Sequence, residues 1–272
     1  MHPVLFRIGR FELHSYGLML AISFIVGIWL SIKRAQKVGM NPNHIMDLSV
    51  VIIISSIIGA RALYVVFHLD EFRGHWIDTF SPIQSNGEIG LAGLTLLGGV
   101  VLAIAASLLY LWWRRMPILK TADVVIPAFA LGIFFTRIGC FLNGCCFGHA
   151  CSGPLCVVFP PNSPAGATYP GVHIHPTQLY SSAYGLLIFG ALMWLDRRKP
   201  FDGYVFFWGL VLYGIARFLI DFLRYYEPSM IALHVFGAPI TVNQLISLGM
   251  IVTGAGLLIW KGKQSRRAAA EQ

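Results

Sequence analysis

The chain has 272 residues, of which 56% are hydrophobic and only 12% are charged, with a formal net charge of +8. A soluble domain usually has about 25% charged residues, so this composition excludes an ordinary soluble protein and indicates an integral membrane protein. No basic stretch is interleaved with aromatic residues as a nucleic-acid groove requires, and we therefore expect no nucleic-acid partner. No small-residue cleavage site follows the first apolar run, so we expect this run to remain in the membrane.

Seven apolar segments of about 18–25 residues follow one another along the chain, each long enough to cross about 30 Å of hydrocarbon. They predict an all-α integral membrane protein with seven transmembrane helices in a single transmembrane domain, 1–272. The expected spans are 16–33, 48–68, 89–113, 122–142, 177–195, 203–223 and 241–260.

The lysines and arginines gather on one side of these spans. Thirteen of the twenty basic residues lie in the loops after the first, third and fifth spans and in the C-terminal tail. The opposite side has only Arg7, Arg10, Arg73 and Arg224. Because cytoplasmic loops are enriched in lysine and arginine, we expect the N-terminus outside and the C-terminus in the cytoplasm.

Three arginines fall inside predicted spans, toward their outer ends: Arg61, Arg137 and Arg217. An arginine at membrane depth is costly and is usually retained for a function or an ion pair. Since a planar guanidinium matches phosphate oxygens bidentately, the three indicate a cationic pocket for an anion such as a lipid phosphate. The alternative is that each one snorkels to the interface or fixes helix packing. Asp221 lies four residues after Arg217 on one helix face, where the two can form an ion pair.

All five cysteines lie between the end of the fourth span and the middle of the predicted outer loop, 143–176; they are Cys140, Cys145, Cys146, Cys151 and Cys156. The expected side of this loop is oxidising in bacteria, and a disulfide between Cys151 and Cys156 is the favoured pairing. The alternative is a zinc or iron–sulfur site with His149 nearby. No Cys-x-x-Cys pair is present, so we expect no metal ligands. The apolar residues of the loop indicate packing rather than disorder.

Six motifs resemble those of the bacterial prolipoprotein diacylglyceryl transferases and follow that family's order. The segment TRIGCFLNGCCFG, 136–148, is similar to the family signature G-R-x-G-N-F-x-N-G-E-x-x-G. HSYGLML and GARALYVVF resemble motifs of its first two helices, and GLTLLGG lies where the family has a glycine-rich segment. HPTQLY and YGIARFLIDFLR resemble two later motifs. The resemblance extends from about residue 14 to residue 260, and the family's seven-helix topology agrees with that predicted from charge.

The resemblance implies an enzyme that transfers the diacylglyceryl group of phosphatidylglycerol to the lipobox cysteine thiol of a prolipoprotein signal peptide. A thioether forms and glycerol phosphate leaves, without a cofactor, in the bacterial inner membrane, where a multi-pass protein would also contact membrane lipids. Cations directed at the leaving phosphate are the expected main stabilisers. The implied catalytic residues are Arg137, Arg217, Tyr16, His175 and Asp221. The implied substrate-binding residues are Arg61, Asn143, Gly148, Gly98, Gly99, Cys140 and Cys145.

The chain departs from the family pattern at five positions. Cysteine replaces the signature asparagine and glutamate, leucine replaces the histidine before the paired glycines, and serine and aspartate replace two later glutamates; these residues are Cys140, Cys145, Leu97, Ser181 and Asp221. A thiolate is the nucleophile, and leucine cannot accept the proton of the thiol. The groups that can take this role are His175, His173, Tyr16 and Asp221.

Several alternatives stand beside this reading. Tyr16 can be an interfacial anchor, His175 can cap a helix, and Gly98 and Gly99 can simply let helices approach closely. The activity can be that of a related membrane transferase with another lipid donor or acceptor. A different class is a membrane redox or metal-binding protein that uses the cysteine cluster. A transporter is disfavoured because the polar residues gather near one face rather than at the bilayer midplane.

Overall fold

The computed structural model describes residues 4–8, 11–72, 95–226, 230–235 and 238–270. Its long helices are α1 (Ser15–Lys37), α2 (Pro42–Phe67), α4 (Leu96–Trp113), α5 (Ile118–Asn143), α7 (Thr177–Asp196), α8 (Tyr204–Ile220) and α9 (Val242–Ala270). Two short helices are α3 (Leu69–Phe72) and α6 (Pro164–Thr168). The strands are β1 (Val4–Ile8), β2 (Phe11–His14), β3 (Ile231–Val235) and β4 (Ala238–Thr241).

The long helices make the chain an integral membrane protein. Five of them, α1, α2, α5, α7 and α9, are long and apolar enough to cross a bilayer, and α4 and α8 contain shorter apolar helices, Leu97–Trp113 and Tyr204–Ile220. Every predicted span thus coincides with a helix, apart from 89–94, which lies outside the described residues. That all seven helices cross the membrane, and in which direction, stays a prediction.

Two small antiparallel hairpins depart from the all-α expectation. β1 pairs with β2, and β3 pairs with β4, each with one register shift. The sequence signal was weak because each strand has only four or five residues and lies beside a much longer apolar helix. The second hairpin ends at Thr241, which contributes to the candidate site described below.

The described residues fall into two compact units, one formed by residues 32–121 and the other by residues 1–31 and 122–272. In the first unit, α2 packs on α4 through glycine. A Cβ on Gly59 would collide with the backbone of Gly98, and a Cβ on Gly98 would collide with the backbone of Gly59. Thr95, just before α4, donates its hydroxyl to the Ala60 carbonyl at 2.9 Å. Small residues therefore let the two helix backbones touch.

The second unit contains α5, α7, α8 and α9 and carries the candidate site. A core of Ala130, Ile188, Leu192 and Val205 joins α5, α7 and α8. Asp123, near the start of α5, is buried and accepts hydrogen bonds from the amides of Gly203 and Phe206, both at 2.8 Å. Since the first amides of a helix have no partner within it, this carboxylate caps α8 and fixes it to α5.

The long loop after α5 is packed, as its apolar residues predicted. Phe147, Phe159, Ala165 and Ile174 form a second buried cluster within it. Isolated β-bridges join Ala150 and Val157 to Ile174. This cluster gives the loop a fixed shape beside the end of α5.

Candidate active site

The candidate site begins where α5 ends. Arg137 lies on the second-last turn of this helix, and the chain then turns sharply through Gly144, at a φ of +73°, and Cys146, at a φ of +62°. Glycine suits the first position because a side chain there rarely adopts this φ. A Cβ would also lie 2.6 Å from Cβ of Ser163. The turn directs the residues after the helix back toward its last turns.

The first turn of α7 fixes this loop from one side. Thr177 donates its hydroxyl to the Cys146 carbonyl at 2.9 Å, and the side-chain amide of Gln178 donates to the Cys145 carbonyl at 2.8 Å. Both side chains are fully buried. The threonine and glutamine of the HPTQLY motif therefore hold the backbone of the cysteine loop.

Gly148 lies where the loop meets two other segments. Its amide donates to the His175 carbonyl at 3.0 Å, and it forms an antiparallel bridge with Arg224. A Cβ on Gly148 would lie 2.6 Å from the Leu223 carbonyl oxygen and 2.7 Å from Cβ of His175, closer than real Cβ contacts. Only glycine lets the segment that carries Arg224 lie directly against the loop.

Arg217 is held by a network at the end of α8. Its Nη1 forms an ion pair with Asp221 Oδ1 at 2.6 Å, which confirms the pairing expected from their spacing. Its Nη2 donates to the Tyr226 hydroxyl at 2.7 Å, and that hydroxyl donates to Asp221 at 2.7 Å. Thr241 donates to the other carboxylate oxygen at 2.9 Å. Burial raises the pKa of Tyr226, so its hydroxyl keeps its proton at neutral pH.

Two other arginines have unsatisfied donors. Arg137 is half-buried, and no residue in the described part of the chain forms a hydrogen bond or ion pair with its guanidinium. Arg224 stacks over the Tyr226 ring at 5.2 Å, while its buried Nε has no partner among the described residues. Electrostatic interactions link Cys146 to both of these arginines. Both guanidinium groups therefore lie close enough to this loop for their charges to act on Cys146.

Two further buried polar atoms near this loop have no hydrogen-bond partner within the described ranges. They are the Tyr184 hydroxyl and Oε1 of Gln178. Tyr184 interacts electrostatically with Arg137, and Gln178 contacts the cysteine loop through its other amide atom. A third such atom among the described residues, Trp208 Nε1, packs with Tyr184 against the core that joins α5, α7 and α8. Because buried polar atoms are nearly always hydrogen-bonded, the unpartnered oxygen of Gln178, which holds the cysteine loop, favours a site for a polar ligand there.

Three free thiols form a cluster on this loop. Cys140 is buried, Cys145 and Cys146 are half-buried, and their three Sγ atoms all lie within 4.8 Å of one another. The Cys145 amide donates to the Cys140 carbonyl at 3.1 Å, which brings the two side chains together. Hydrogen bonds from these two cysteines, followed by the positive charges of Arg224 and Arg137, lower the pKa of Cys146 despite its burial.

The remaining two cysteines form the predicted disulfide between Cys151 and Cys156. A ring nitrogen of His175 lies within 4.8 Å of both sulfur atoms, and its Nδ1 lies 3.4 Å from the Tyr180 hydroxyl. The structure thus places His175 beside the disulfide, while its backbone contacts Gly148.

Tyr16 and Asn143 lie beside the thiol cluster, as a role in the site requires. Tyr16 packs against Gly139, where an added Cβ would lie 3.4 Å from its ring, and it interacts electrostatically with the three thiols and with Arg137. Asn143, the last residue of α5, forms a hydrogen bond with the Cys145 thiol.

Three predicted substrate-binding residues belong to the unit of residues 32–121. Arg61 is buried in α2, with its guanidinium 5.7 Å from the centre of the Tyr64 ring. Gly98 and Gly99 are buried in the contact between α4 and α2, where a Cβ on Gly99 would lie 2.9 Å from the Ser56 carbonyl oxygen. This is the packing role that we weighed as their alternative, and their contact with substrate stays a prediction.

Comparison with known proteins decides the family. The model of the prolipoprotein diacylglyceryl transferase family matches residues 3–260. The chain is 32% identical to the phosphatidylglycerol–prolipoprotein diacylglyceryl transferase of Clostridium tetani, over 93% of this chain and 95% of the relative. It is 33% identical to the same-named enzyme of Aliivibrio salmonicida, over 97% and 88% of the two chains. The chain belongs to the prolipoprotein diacylglyceryl transferase family.

Sequence analysis did not identify four residues of this candidate site. The four hold or surround the predicted residues: Arg224, Tyr226, Gln178 and Tyr184. Arg224 and Gln178 were read only as parts of motifs, and Tyr226 and Tyr184 were given no role. The spacing of Arg224, three residues after Asp221, was the one available signal. Tyr184 gave none, since a tyrosine in an apolar helix is more often part of the packing.

Proposed function

We propose that this chain transfers the diacylglyceryl group of phosphatidylglycerol to the lipobox cysteine of prolipoproteins, forming a thioether and releasing glycerol phosphate. The family membership supports the reaction class, and the curated relatives are named for this donor and acceptor. The observation that carries the proposal is the pair Arg137 and Arg224 beside the thiol loop. Within the described residues, neither the Arg137 guanidinium nor the Arg224 Nε has a hydrogen-bond partner.

Arg137 and Arg224 are the proposed phosphate ligands. Negative charge grows on the phosphate as the carbon–oxygen bond to the glyceryl group breaks, and preorganised cations stabilise that charge most in a site sheltered from water. A guanidinium with free donors can bind two phosphate oxygens at once. The unpartnered Tyr184 hydroxyl and Gln178 Oε1 offer additional polar contacts to the lipid headgroup.

Arg217 has a different proposed part. Asp221 and Tyr226 already occupy two of its nitrogens, so it can offer only its remaining donors to a ligand. The network holds its guanidinium in one orientation, and a fixed charge stabilises a transition state without reorganising. Tyr213 interacts electrostatically with both Arg217 and Arg137, which supports one shared cationic site.

The other predicted residues keep supporting roles in this proposal. Tyr16 and Asn143 shape the space around the acceptor thiol, and Gly148 sets the distance between the loop and Arg224. Through its backbone and ring, His175 fixes the loop next to the disulfide. The remaining predicted substrate contacts are Arg61, Gly98, Gly99, Cys140 and Cys145.

We further propose that the seven long helices cross the bacterial inner membrane as one transmembrane domain, with the N-terminus outside. The distribution of lysine and arginine supports this orientation. It places the end of α5 and the start of α7 at the outer leaflet. A lipid donor and an exported prolipoprotein can both reach this side.

Complementation tests the proposed function. A bacterium is depleted of its own diacylglyceryl transferase, receives this chain, and is examined for the diacylglyceryl mass on a reporter prolipoprotein. We expect the mass gain with the unaltered chain and its loss with Arg137→Ala. Arg198→Ala is the matched control, because Arg198 stacks on Trp194 beyond the far end of α7.

Three other results of the complementation experiment would each lead to a different conclusion. A membrane-inserted chain that adds no mass to the reporter contradicts the proposal. A different added mass would identify another lipid donor, which is the alternative transferase. Equal loss of the mass gain in both arginine variants would show that charge removal harms the protein in general and would remove the support for a phosphate site.

A further inference from the structure

The cluster of Cys140, Cys145 and Cys146 carries an inference beyond phosphate binding. Its three Sγ atoms lie within 4.8 Å of one another and are free, whereas the chain's other two cysteines form a disulfide. Cys140 is buried, whereas Cys145 and Cys146 are half-buried and so remain partly accessible. Three thiols this close together can serve as the three protein ligands of one metal ion.

The spacing of the sulfurs suits zinc. Zinc binds thiolate sulfur at about 2.3 Å, and tetrahedral geometry then places the sulfurs about 3.8 Å apart. The three Sγ atoms already lie within 4.8 Å of one another, about 1 Å at most from that spacing. Soft thiolate ligands select zinc, Cu(I) or iron–sulfur clusters. Zinc alone combines a tetrahedral site with no redox chemistry, as a thiol alkylation requires.

The backbone around the cluster is preorganised for this geometry. The Cys145 amide donates to the Cys140 carbonyl at 3.1 Å, and Thr177 and Gln178 hold the carbonyls of Cys146 and Cys145. The positive φ of Cys146 sets the direction of its side chain. These bonds hold the backbone that carries the three cysteines in place before a metal arrives.

We propose that Cys140, Cys145 and Cys146 bind one zinc ion whose fourth position receives the acceptor cysteine thiol of the substrate peptide. This inference rests on the proposed function, since it names how that same site activates its nucleophile. Catalytic zinc sites have three protein ligands and one open position for water or substrate. A thiol that coordinates zinc loses its proton, so the acceptor arrives as the thiolate that attacks.

The step balances without a redox partner. The acceptor thiol releases its proton to water as its sulfur coordinates zinc. That sulfur then attacks the terminal glyceryl carbon of the lipid, a carbon–sulfur bond forms, and the carbon–oxygen bond to phosphate breaks. The phosphate oxygen keeps the electron pair and leaves as glycerol phosphate. The product sulfur is a neutral thioether, a weaker ligand, so the modified peptide can leave the metal.

The charges around the cluster agree with this step. Three thiolates and Zn²⁺ carry a net charge of −1, and a fourth thiolate makes it −2. Arg137 and Arg224 interact electrostatically with Cys146 and offset this charge. The same arginines are the proposed phosphate ligands, so the lipid phosphate and the acceptor sulfur would be held next to each other. Proximity of this kind is a major source of rate acceleration.

Metal analysis of the full chain, purified in mild detergent, tests the site. We expect about one zinc ion per chain, lost when Cys140, Cys145 or Cys146 is replaced by serine. The matched control is Cys151→Ala combined with Cys156→Ala, which removes the other two cysteines and should keep the zinc. Zinc that survives Cys145→Ser, or that disappears from the double control, overturns the proposal, and so does copper, iron or a disulfide found among the three thiols.

Cobalt substitution tests the fourth position without any turnover. Co²⁺ in place of zinc should give thiolate-to-cobalt charge-transfer absorption, and a lipobox peptide should intensify it by adding a fourth sulfur. The same peptide with serine in place of its cysteine should not. An identical response to both peptides overturns the assignment of the acceptor as a ligand.

The zinc inference and the proposed diacylglyceryl transfer can be contradicted separately. If the purified chain forms the thioether without zinc and resists chelators, the zinc inference falls and the proposed function stands. If zinc binds and the cobalt spectrum responds to the cysteine peptide, yet no thioether forms from phosphatidylglycerol, the metal site stands and the proposed transfer falls.

Discussion

Gly148→Ala is the most demanding test of the site geometry. The added Cβ would lie 2.6 Å from the Leu223 carbonyl oxygen, about 0.8 Å nearer than the 3.4 Å of an ordinary contact. It would also lie 2.7 Å from Cβ of His175 and 2.8 Å from Cγ2 of Thr177. No flexible side-chain end can move aside, because the closest atoms belong to the backbone or lie next to it. The loop and the Arg224 segment must therefore separate.

The expected cost follows from that separation. Forcing one methyl group into a packed site costs about 1–3 kcal/mol of stability, which a membrane-embedded bundle can absorb. A displacement of about 1 Å between reacting groups lowers the rate by about 100-fold. We therefore expect Gly148→Ala to insert and remain folded, with thioether formation reduced about 100-fold.

The assay follows the mass of a lipobox peptide in vesicles that contain phosphatidylglycerol, with thermal unfolding in detergent as the stability readout. Gly153→Ala is the matched control, because it lies in the same loop and its nearest neighbour would be Cys156 Sγ at 3.8 Å. Gly148→Ala at the unaltered rate would refute the reasoning. An equal decline in both variants would show that the loop tolerates no substitution and that the geometry at Gly148 is not special.

Two further predictions concern the groups around the phosphate and the thiols. Tyr226→Phe removes the hydroxyl that joins Arg217 to Asp221, and losing hydrogen bonds to charged groups costs about 1.5–3 kcal/mol. We expect the rate to fall about tenfold or more with little change in peptide binding, and a rate equal to that of the unaltered chain would contradict this. Because the pKa of Cys146 is lowered, its thiolate persists at pH values where an ordinary thiol, of pKa about 8.5, is protonated. In chelator-treated protein, iodoacetamide should therefore label Cys146 at a lower pH than it labels the same thiol in the unfolded chain, and Arg224→Gln should move that labelling to higher pH; an equal pH dependence in the folded and unfolded chains would contradict the shift.

The helices were predictable because apolar runs of membrane length leave the backbone few alternatives. Without water, backbone groups must be satisfied within the segment, which selects a helix. The predicted span 122–142 and the helix Ile118–Asn143 differ by a few residues only. The hairpins were not predictable in this way. The Ile231–Thr241 hairpin is short, and no long apolar run marks it.

The site was predictable wherever residue type alone is informative. Arg137, Arg217 and Asp221 are conspicuous inside apolar spans, and the pairing of the last two followed from their spacing. Tyr226 was hidden because it lies beyond the end of α8, where helical spacing no longer predicts its contacts with Arg217 and Asp221. Gln178 was hidden because its role depends on a chain segment far away in sequence. The Gln178 side chain donates a hydrogen bond to the carbonyl of Cys145, 33 residues away, and no local sequence pattern predicts such a contact.

The cysteines show why departures from a family pattern carry information when the structure is considered with them. Positions 140 and 145 are joined by a backbone hydrogen bond of 3.1 Å, and in this chain their side chains lie together. The signature has asparagine and glutamate there, and this chain has two thiols, with a third at Cys146. A single cysteine substitution would only remove a polar group, whereas three thiols within 4.8 Å make a new ligand set. Leu97, which replaces the histidine that the family has before its paired glycines, cannot accept a proton. A site that ionises the acceptor thiol by coordination would not need that histidine, so the gain of sulfur and the loss of the histidine have one common explanation.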